Sequence, residues 1–576
     1  MLGILSLLVV DYGQLKVPEL YRMVVNGINT GEVLLNGSLV PFDIDFLLDQ
    51  ICRPLMVVVF FICIGICLWR VCFFGASIKM ETDIRKNMFD HCKNLSQQFY
   101  HVNKVGDLMS LFTNDVETIQ DSFGNGVLMF FDALLLGVLA VTKMFRMNKG
   151  LTLLSMLPMI LLFLMVLLVG NLMSKTWDKR QEAFSHLSDF SQESFSGIAV
   201  IKAFTKEVKE LKAFKKLNIE NEKINVKFTM YDTMLNVLFI FFVESVICVI
   251  LGYGGYLVYN GTFGAGELVE FISYFSAVIW PIEAVAILTD MTARASASCK
   301  RVAEFLDAPI DVCDKPSVVD REMDIKGSIE FKHLNFTYPL SDREVLSDVS
   351  FAINAGENVG LIGKTGAGKT TIVDIIARTY NVPEGTVFVD GIDVNDISIK
   401  ELRRHIAYVP QDNFLFSDTI ANNIAFSKET AFDAKEVQAA AVLSDVDGNI
   451  QEFSEKYETV LGERGVTVSG GQKQRISIAR ALMKDAEILI LDDSVSAVDT
   501  KTERIILKNL SETRKGKTTI LIAHRISTIE KMDKIIFVDD GRILDVGSHA
   551  ELLSRNEEYA KMVKLQELEA EEKEGA

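Results

Sequence analysis

From Arg53 to Ile78 the chain reads RPLMVVVFFICIGICLWRVCFFGASI. About 20 mostly apolar residues suffice to cross the hydrocarbon of a bilayer as a helix. Inside lipid every backbone N–H and C=O must be satisfied within the segment, so a run like this has few folds open to it besides a membrane helix. Five more stretches read the same way: roughly Leu2–Val25, Phe123–Met144, Leu151–Met173, Met234–Tyr259 and Leu268–Leu288. The first is interrupted by Asp11, Lys16, Glu19 and Arg22. Such charges place it against other helices or water rather than lipid. The chain opens on MLGILSLLVV with no basic n-region and no small-residue cleavage site, so this reads as membrane helix rather than signal peptide. The expectation is an all-α domain of six spans over residues 1–308.

The connections between spans alternate in length. Those over Lys79–Asp121 and Ser174–Asp232 are long and carry helix-favouring polar sequence, whereas VNGINTGE and YNGTFGAGE are glycine-rich turns. Long connections therefore fall on one side of the membrane. Met23–Cys52 contains no Lys or Arg and fits the outside. Lys143, Arg146 and Lys149, in a short turn, depart from that rule. Asp132, Glu244 and Glu283 lie inside spans, where an acid lines a cavity or bridges helices.

Composition supports two materials in one chain. Hydrophobic residues make up 49% of 576 positions, yet 24% are charged. The net charge of −18 with no basic block argues against nucleic-acid binding. The eight cysteines form no CxxC pair and read as free thiols. After the spans, DVCDKPSVVD marks a polar linker over 309–326, and from 327 to 576 the pattern is that of a soluble α/β domain. There VSFAINAGENVGLIG runs as a strand into GKTGAGKTT, Gly363 to Thr371, and then into the helix TIVDIIARTY. This is the phosphate-loop pattern in its strand–loop–helix context. Gly363, Lys364, Thr365, Gly366, Ala367, Gly368 and Thr371 frame a backbone that curls around phosphates. Lys369 adds positive charge, and the Thr370 hydroxyl ligates magnesium. ILILDD, Ile488 to Asp493, ends a buried strand in two acids, of which Asp492 holds the magnesium through its water shell. ATP and Mg²⁺ are thus the expected cofactors.

VSGGQKQR, Val468 to Arg475, precedes the helix that leads to ILILDD. With the phosphate loop it resembles the signature of ATP-binding cassette (ABC) proteins. The resemblance implies that Ser469, Gly470, Gly471 and Gln472 bind the γ-phosphate of a nucleotide held by the opposite subunit. It implies further that Tyr338 stacks on adenine and that Gln411 contacts magnesium and senses the membrane domain. Asp499 matches the dimer-contact loop and His524 the switch histidine at the γ-phosphate. The order of six spans then one cassette resembles an ABC exporter half-transporter, with a phosphate-loop NTPase core, a helical subdomain and a cytoplasmic cassette. GDLMSLFTNDVETIQ resembles the first intracellular coupling segment and ESFSGIAVIKAF the sequence near the second, with Glu463 of TVLGERG as their contact.

The chain contains one phosphate loop and no internal repeat, so in this family it works as half of a dimer. The residue after the magnesium acid is usually Glu, which orients the attacking water; here it is Asp493. An aspartate falls about 1 Å or more short, and a displacement of that size costs about a hundredfold in rate. By resemblance, this is the slow-site subunit of a heterodimeric bacterial multidrug exporter, whose intact signature completes the partner's site. The alternative is a homodimeric exporter of lipid or peptide with Asp493 fully active. The expected partners are a second half-transporter, the bilayer and an amphipathic substrate.

Overall fold

The computed structural model describes residues 1–574 except 36–37, 340, 429–431, 463–464, 466–467 and 497. Contacts divide it into two units, Met1–Asp90 with Gly106–Asp307, and His91–Val105 with Ala308–Ala576.

The first unit is built from the helices Leu2–Gln14, Val17–Thr30, Arg53–Cys92, Val127–Met147, Lys149–Ser196, Glu207–Tyr259 and Ala265–Leu306. A hairpin of β1 (Glu32–Leu35) and β2 (Ser38–Pro41) follows the second helix. Among the described residues, four stretches are long and apolar enough to cross a membrane: Ile44–Cys92, Val105–Met147, Glu207–Tyr259 and Ala265–Leu306. The described apolar part of the Lys149–Ser196 helix, Lys149–Leu162, is shorter. Only 6% of the most apolar window of Ile44–Cys92 is buried, so its side chains face outward, as lipid and not water tolerates. At 1.5 Å per residue the Glu207–Tyr259 helix is about 80 Å long, far more than the roughly 30 Å hydrocarbon needs.

The stretch expected as one first span is two helices, interrupted at Leu15–Lys16. Pro18 sits in the first turn of the second, where a missing N–H is least costly. The charges that marked this stretch pair with neighbouring helices. Lys16 Nζ lies 2.8 Å from Glu19, Lys143 also bonds Glu19, and Arg22 lies 3.1 Å from Glu270. Lys143 is therefore spent on Glu19, which accounts for part of the departure from the positive-inside rule. Gly266 lets two helices touch, since a Cβ there would meet the Arg22 carbonyl oxygen at 2.5 Å. Leu136, Met144, Leu151, Ile250, Phe271 and Phe275 form the core beside this contact.

In the second unit, six strands order β12–β11–β5–β10–β9–β8. They are β5 (Asn358–Ile362), β8 (Ile406–Val409), β9 (Ile488–Asp492), β10 (Thr518–Ile522), β11 (Lys534–Asp539) and β12 (Arg542–Gly547). All neighbours are parallel except the edge strand β12. The continuous apolar runs NVGLI, ILILD and TTILI are what a sheet covered on both faces requires. An antiparallel sheet orders β4–β3–β6–β7, with β3 (Ile329–Thr337), β4 (Glu344–Ile353), β6 (Val387–Val389) and β7 (Ile392–Asp393). A separate helical core gathers Leu415, Ile420, Ile424, Val437, Ile450 and Ile476.

Two segments sit differently from the sequence reading. Residues 309–326, read as a linker, are tied down along the second unit. Buried Arg378 bonds Asp314 at 2.9 Å, Ser398 bonds Asp320 at 3.0 Å, and Glu401 accepts from Met323 N at 2.8 Å. His91–Val105 also belongs to this unit, with Leu95 and Ser96 buried and Gln98 Nε2 donating to Pro339 O at 2.5 Å. GDLMSLFTNDVETIQ, which resembles the coupling segment, lies in the first unit, where Asp115 accepts from Ser298 at 2.7 Å and from Arg301.

Candidate functional site

In a parallel α/β sheet, ligands bind beyond the carboxyl ends of the strands. β5 ends at Ile362 and gives way to the glycine loop, β9 ends at Asp492, and β10 ends two residues before His524. The three motifs, far apart in sequence, share one edge of the sheet because β10 lies between β5 and β9.

The loop needs its glycines. Gly366 and Gly368 take φ of 82° and 95°, a region that side chains with a Cβ rarely enter. At Gly363 a Cβ would lie 1.9 Å from the Val538 carbonyl oxygen. Lys364, Thr365 and Gly366 are exposed along the crest, while Ala367, Gly368 and Lys369 are buried behind it. Lys369 Nζ donates to Gly363 O at 2.9 Å and to Lys364 O at 2.8 Å. Burial pulls its ammonium below the usual lysine range, against the opposing influence of Asp492 and Asp493. Thr370 opens the following helix, and Thr371, one residue on, bonds the Tyr338 hydroxyl at 2.7 Å.

Asp492 is 1% exposed, and among the described residues its Oδ2 has no hydrogen-bond partner. Burial pushes this carboxyl up, partly offset by the Thr370 hydroxyl, while neighbouring Asp493 adds to the rise. Asp374 stands behind it, pushed up to about 6 by burial and then by Asp492, with Tyr408 Oη 3.4 Å away. A buried acid group with an orphaned oxygen, beside a threonine hydroxyl, fits a hard divalent cation such as magnesium. Thr370 and Asp492 would hold it. Gln411, the other expected ligand, is exposed in the loop after β8. Among the described residues no hydrogen bond joins it to Asp492 or Thr370.

Asp493 has φ of 47°, and its N–H donates to Ile522 O at 3.1 Å. Its carboxylate lies 4.0 Å from His524 Nε2. The expected water-orienting acid and switch histidine are thus brought together. Tyr338 is half-buried, and its ring packs edge-on against Phe336 and Tyr380 at 5.2 and 5.1 Å. Ser469 caps the helix Gly470–Lys484, accepting from Gln472 N at 3.3 Å while Gln472 Oε1 accepts from Ser469 N at 2.9 Å. Ser469 and Gly470 are exposed, so this helix N-terminus is open to an anion from outside the chain. Asp499 caps the helix Thr500–Thr513, and backbone N–H groups, that of Thr502 first, hold its carboxyl below the usual range. Glu463 lies outside the described residues.

One residue escaped the sequence reading. Gln566, on the helix Glu557–Glu574, donates to His524 O at 2.8 Å and accepts from Ile526 N at 2.8 Å. It brackets the histidine loop from both sides. No motif marks it, because the bracket exists only once the last helix has packed through Tyr559 and Val563.

The profile of the ABC transporter transmembrane region matches residues 34–282, and that of the ABC transporter family matches 346–496. The chain is 36% identical over its whole length to the "Probable multidrug resistance ABC transporter ATP-binding/permease protein YheI" of Bacillus subtilis, covering 96% of that protein. It is 35% identical to the multidrug resistance-like ATP-binding protein MdlA of Escherichia coli, over 99% of this chain and 94% of the relative. The structure of a bacterial Atm1-family ABC exporter with ATP bound superposes with a TM-score of 0.78 at 26% identity, over 98% of this chain and 97% of that one. With relatives this similar over nearly their full length, the chain belongs to the ABC transporter family as an exporter half-transporter, a membrane domain fused to one cytoplasmic ATP-hydrolysing cassette.

Proposed function

We propose that this chain exports amphipathic small molecules or lipids as one half of a heterodimer, contributing a slow ATP site and an intact signature to a faster one. The observation that carries the reading is Asp493. It occupies the place beside His524 from which an acid would steer the attacking water, with a side chain one methylene shorter than glutamate. On this reading Lys369 and the loop from Gly363 to Thr371 bind the phosphates. Thr370, Asp492 and Gln411 hold magnesium, which when bound draws charge from the phosphate oxygens. Tyr338 meets the adenine. Ser469, Gly470, Gly471 and Gln472 act on the partner's nucleotide, and Asp499 touches the partner. Residues 1–308 form the six-span domain, 309–326 the connection and 327–576 the cassette with its helical subdomain.

The need for a partner has support in the first unit. Phe195, Ile198, Val200 and Phe204, around the short helix Ile198–Ala203, are all exposed. A polar tip would suit water; an apolar one suits docking on another chain. One observation favours the homodimeric alternative. A φ of 47° suits aspartate better than most residues, so Asp493 also has a backbone reason to be there.

Affinity purification of the tagged chain from its native membrane, followed by mass spectrometry, tests the pairing. The expected companion is a half-transporter of different sequence in equal amount. Recovery of this chain alone, as a dimer of itself, supports the alternative instead.

A further inference from the structure

Asp11, on the helix Leu2–Gln14, is 0% exposed, and among the described residues neither of its carboxylate oxygens has a hydrogen-bond partner. The carboxyl of Asp132, on the helix Val127–Met147, stands within hydrogen-bonding reach of it. Asp132 Oδ2 also accepts from Trp280 Nε1 at 2.6 Å, from the helix Ala265–Leu306. Three helices of the first unit thus bring two acids and an indole to one point. The nearby cations are committed elsewhere: Lys16 and Lys143 to Glu19, and Arg22 to Glu270. Among the described residues, no cation pairs with Asp11 or Asp132.

An unpaired carboxylate is costly in an apolar interior, and two in contact cost more. Such a pair persists only when one positive charge stands between them, as a shared proton or a bound cation. The surroundings fit an organic cation. Trp280 is 37% exposed while its N–H is fixed on Asp132, so part of an aromatic residue remains accessible beside the acids. Pro281 follows it and has no N–H, which leaves the Ala277 carbonyl without its helical donor and adds an acceptor one turn away. Packing on the other side is tight: Ser6 Oγ bonds Gly65 O at 2.9 Å, and a Cβ on Gly65 would strike Val10 at 2.5 Å, so the helix that carries Asp11 lies close against the Arg53–Cys92 helix.

We infer that Asp11, Asp132 and Trp280 form a subsite for the cationic head of an amphipathic substrate, the ammonium replacing the proton that the two carboxyls otherwise share. This deepens the export reading and rests on it. Glu244 and Glu283, also acids of the membrane domain, are exposed and do not contribute.

The test uses the assembled transporter in lipid nanodiscs and two fluorescent probes of equal shape. One is a dansyl alkyl-trimethylammonium; the other carries tert-butyl in place of trimethylammonium. Binding of each is titrated to wild type, Asp11→Asn, Asp132→Asn and the double variant. The expected result is that the double variant binds the cation more than tenfold more weakly and the neutral probe within twofold of wild type. Equal weakening of both probes assigns the pair a packing role and overturns the subsite. Unchanged cation binding in every variant overturns it too, while leaving the export reading intact. Failure of wild type to bind either probe overturns the export reading, and the subsite with it.

Discussion

Asp492 and Asp11 are both buried carboxyls: Oδ2 of the first and both oxygens of the second have no hydrogen-bond partner among the described residues. Their settings differ. Asp492 ends a strand beside Thr370 and near the ammonium of Lys369, which follows the glycine loop proposed to bind phosphates. Asp11 faces a second acid, Asp132, which an indole bonds, and among the described residues no lysine pairs with either. One site keeps its counter-charge in place and waits for a small, hard ion. The other has an incomplete charge balance that a proton or a soft organic cation completes. On the readings proposed above, a polar group left unsatisfied in a packed interior serves binding in both units, and its neighbours set the chemistry of the ligand.

The comparison breaks most severely at Lys369. Replacing it with Ala removes the only positive charge acting on Asp492 among the groups that shift it. Photo-crosslinking of an azido-ATP to this chain should fall by about two to three orders of magnitude, while dansyl-cation binding in the membrane domain stays unchanged. Parallel loss of both would mean that the two sites are not separate charge problems.

A smaller effect follows from the acids behind Asp492. Asp374 rises from 3.8 to about 6 in the folded protein, so protonation favours folding. That stability is fully present below pH 3.8 and is lost as pH rises through about 6. At pH 7.5 the wild type therefore carries the full cost of the charged form, roughly 3 kcal/mol from a two-unit shift. Asp374→Asn should raise the nucleotide-free thermal midpoint of the cassette by several degrees at pH 7.5 and by little at pH 4. An equal gain at both values would mean that burial of charge is not the cause.

The smallest effect belongs to Gln566. Gln566→Ala removes two hydrogen bonds from the His524 loop at about 0.5–1.5 kcal/mol each. The expected outcome is about a three- to tenfold lower kcat with KM for ATP unchanged, and recovery of most of it in Gln566→Glu for the Ile526 N–H alone. A matched rise in KM would place Gln566 in nucleotide binding rather than in loop positioning.

Much of the cassette was legible in the sequence because its chemistry is local. GKTGAGKTT and ILILDD each carry their own strand and their own turn, and the sheet only had to bring their ends to one edge. Gln566 and Asp374 were not legible, since each acquires meaning from a neighbour distant in sequence. In the membrane domain the balance reverses. Apolar runs announced helices, but Pro18 divided the first of them, and Lys143, read as a loop charge, proved to be the partner of Glu19. Asp11 looked like a blemish in an apolar run. Its importance lies in three helix contacts, which hydropathy does not encode. The segment that packs with the cassette, His91–Val105, lies just before the stretch with the family-like sequence. Resemblance marked the neighbourhood, and packing chose the residues.

Asp493 gives the most direct test of the asymmetric-pair reading. The ATPase rate of this chain is to be measured at its own site, in the assembled transporter with the partner's site disabled, for wild type and for Asp493→Glu. The reading predicts slow wild-type turnover and an increase of tenfold or more, up to about a hundredfold, on adding the methylene. Fast wild-type turnover that the substitution leaves unchanged or lowers would contradict it, and would make Asp493 a fully competent acid suited to its φ of 47°.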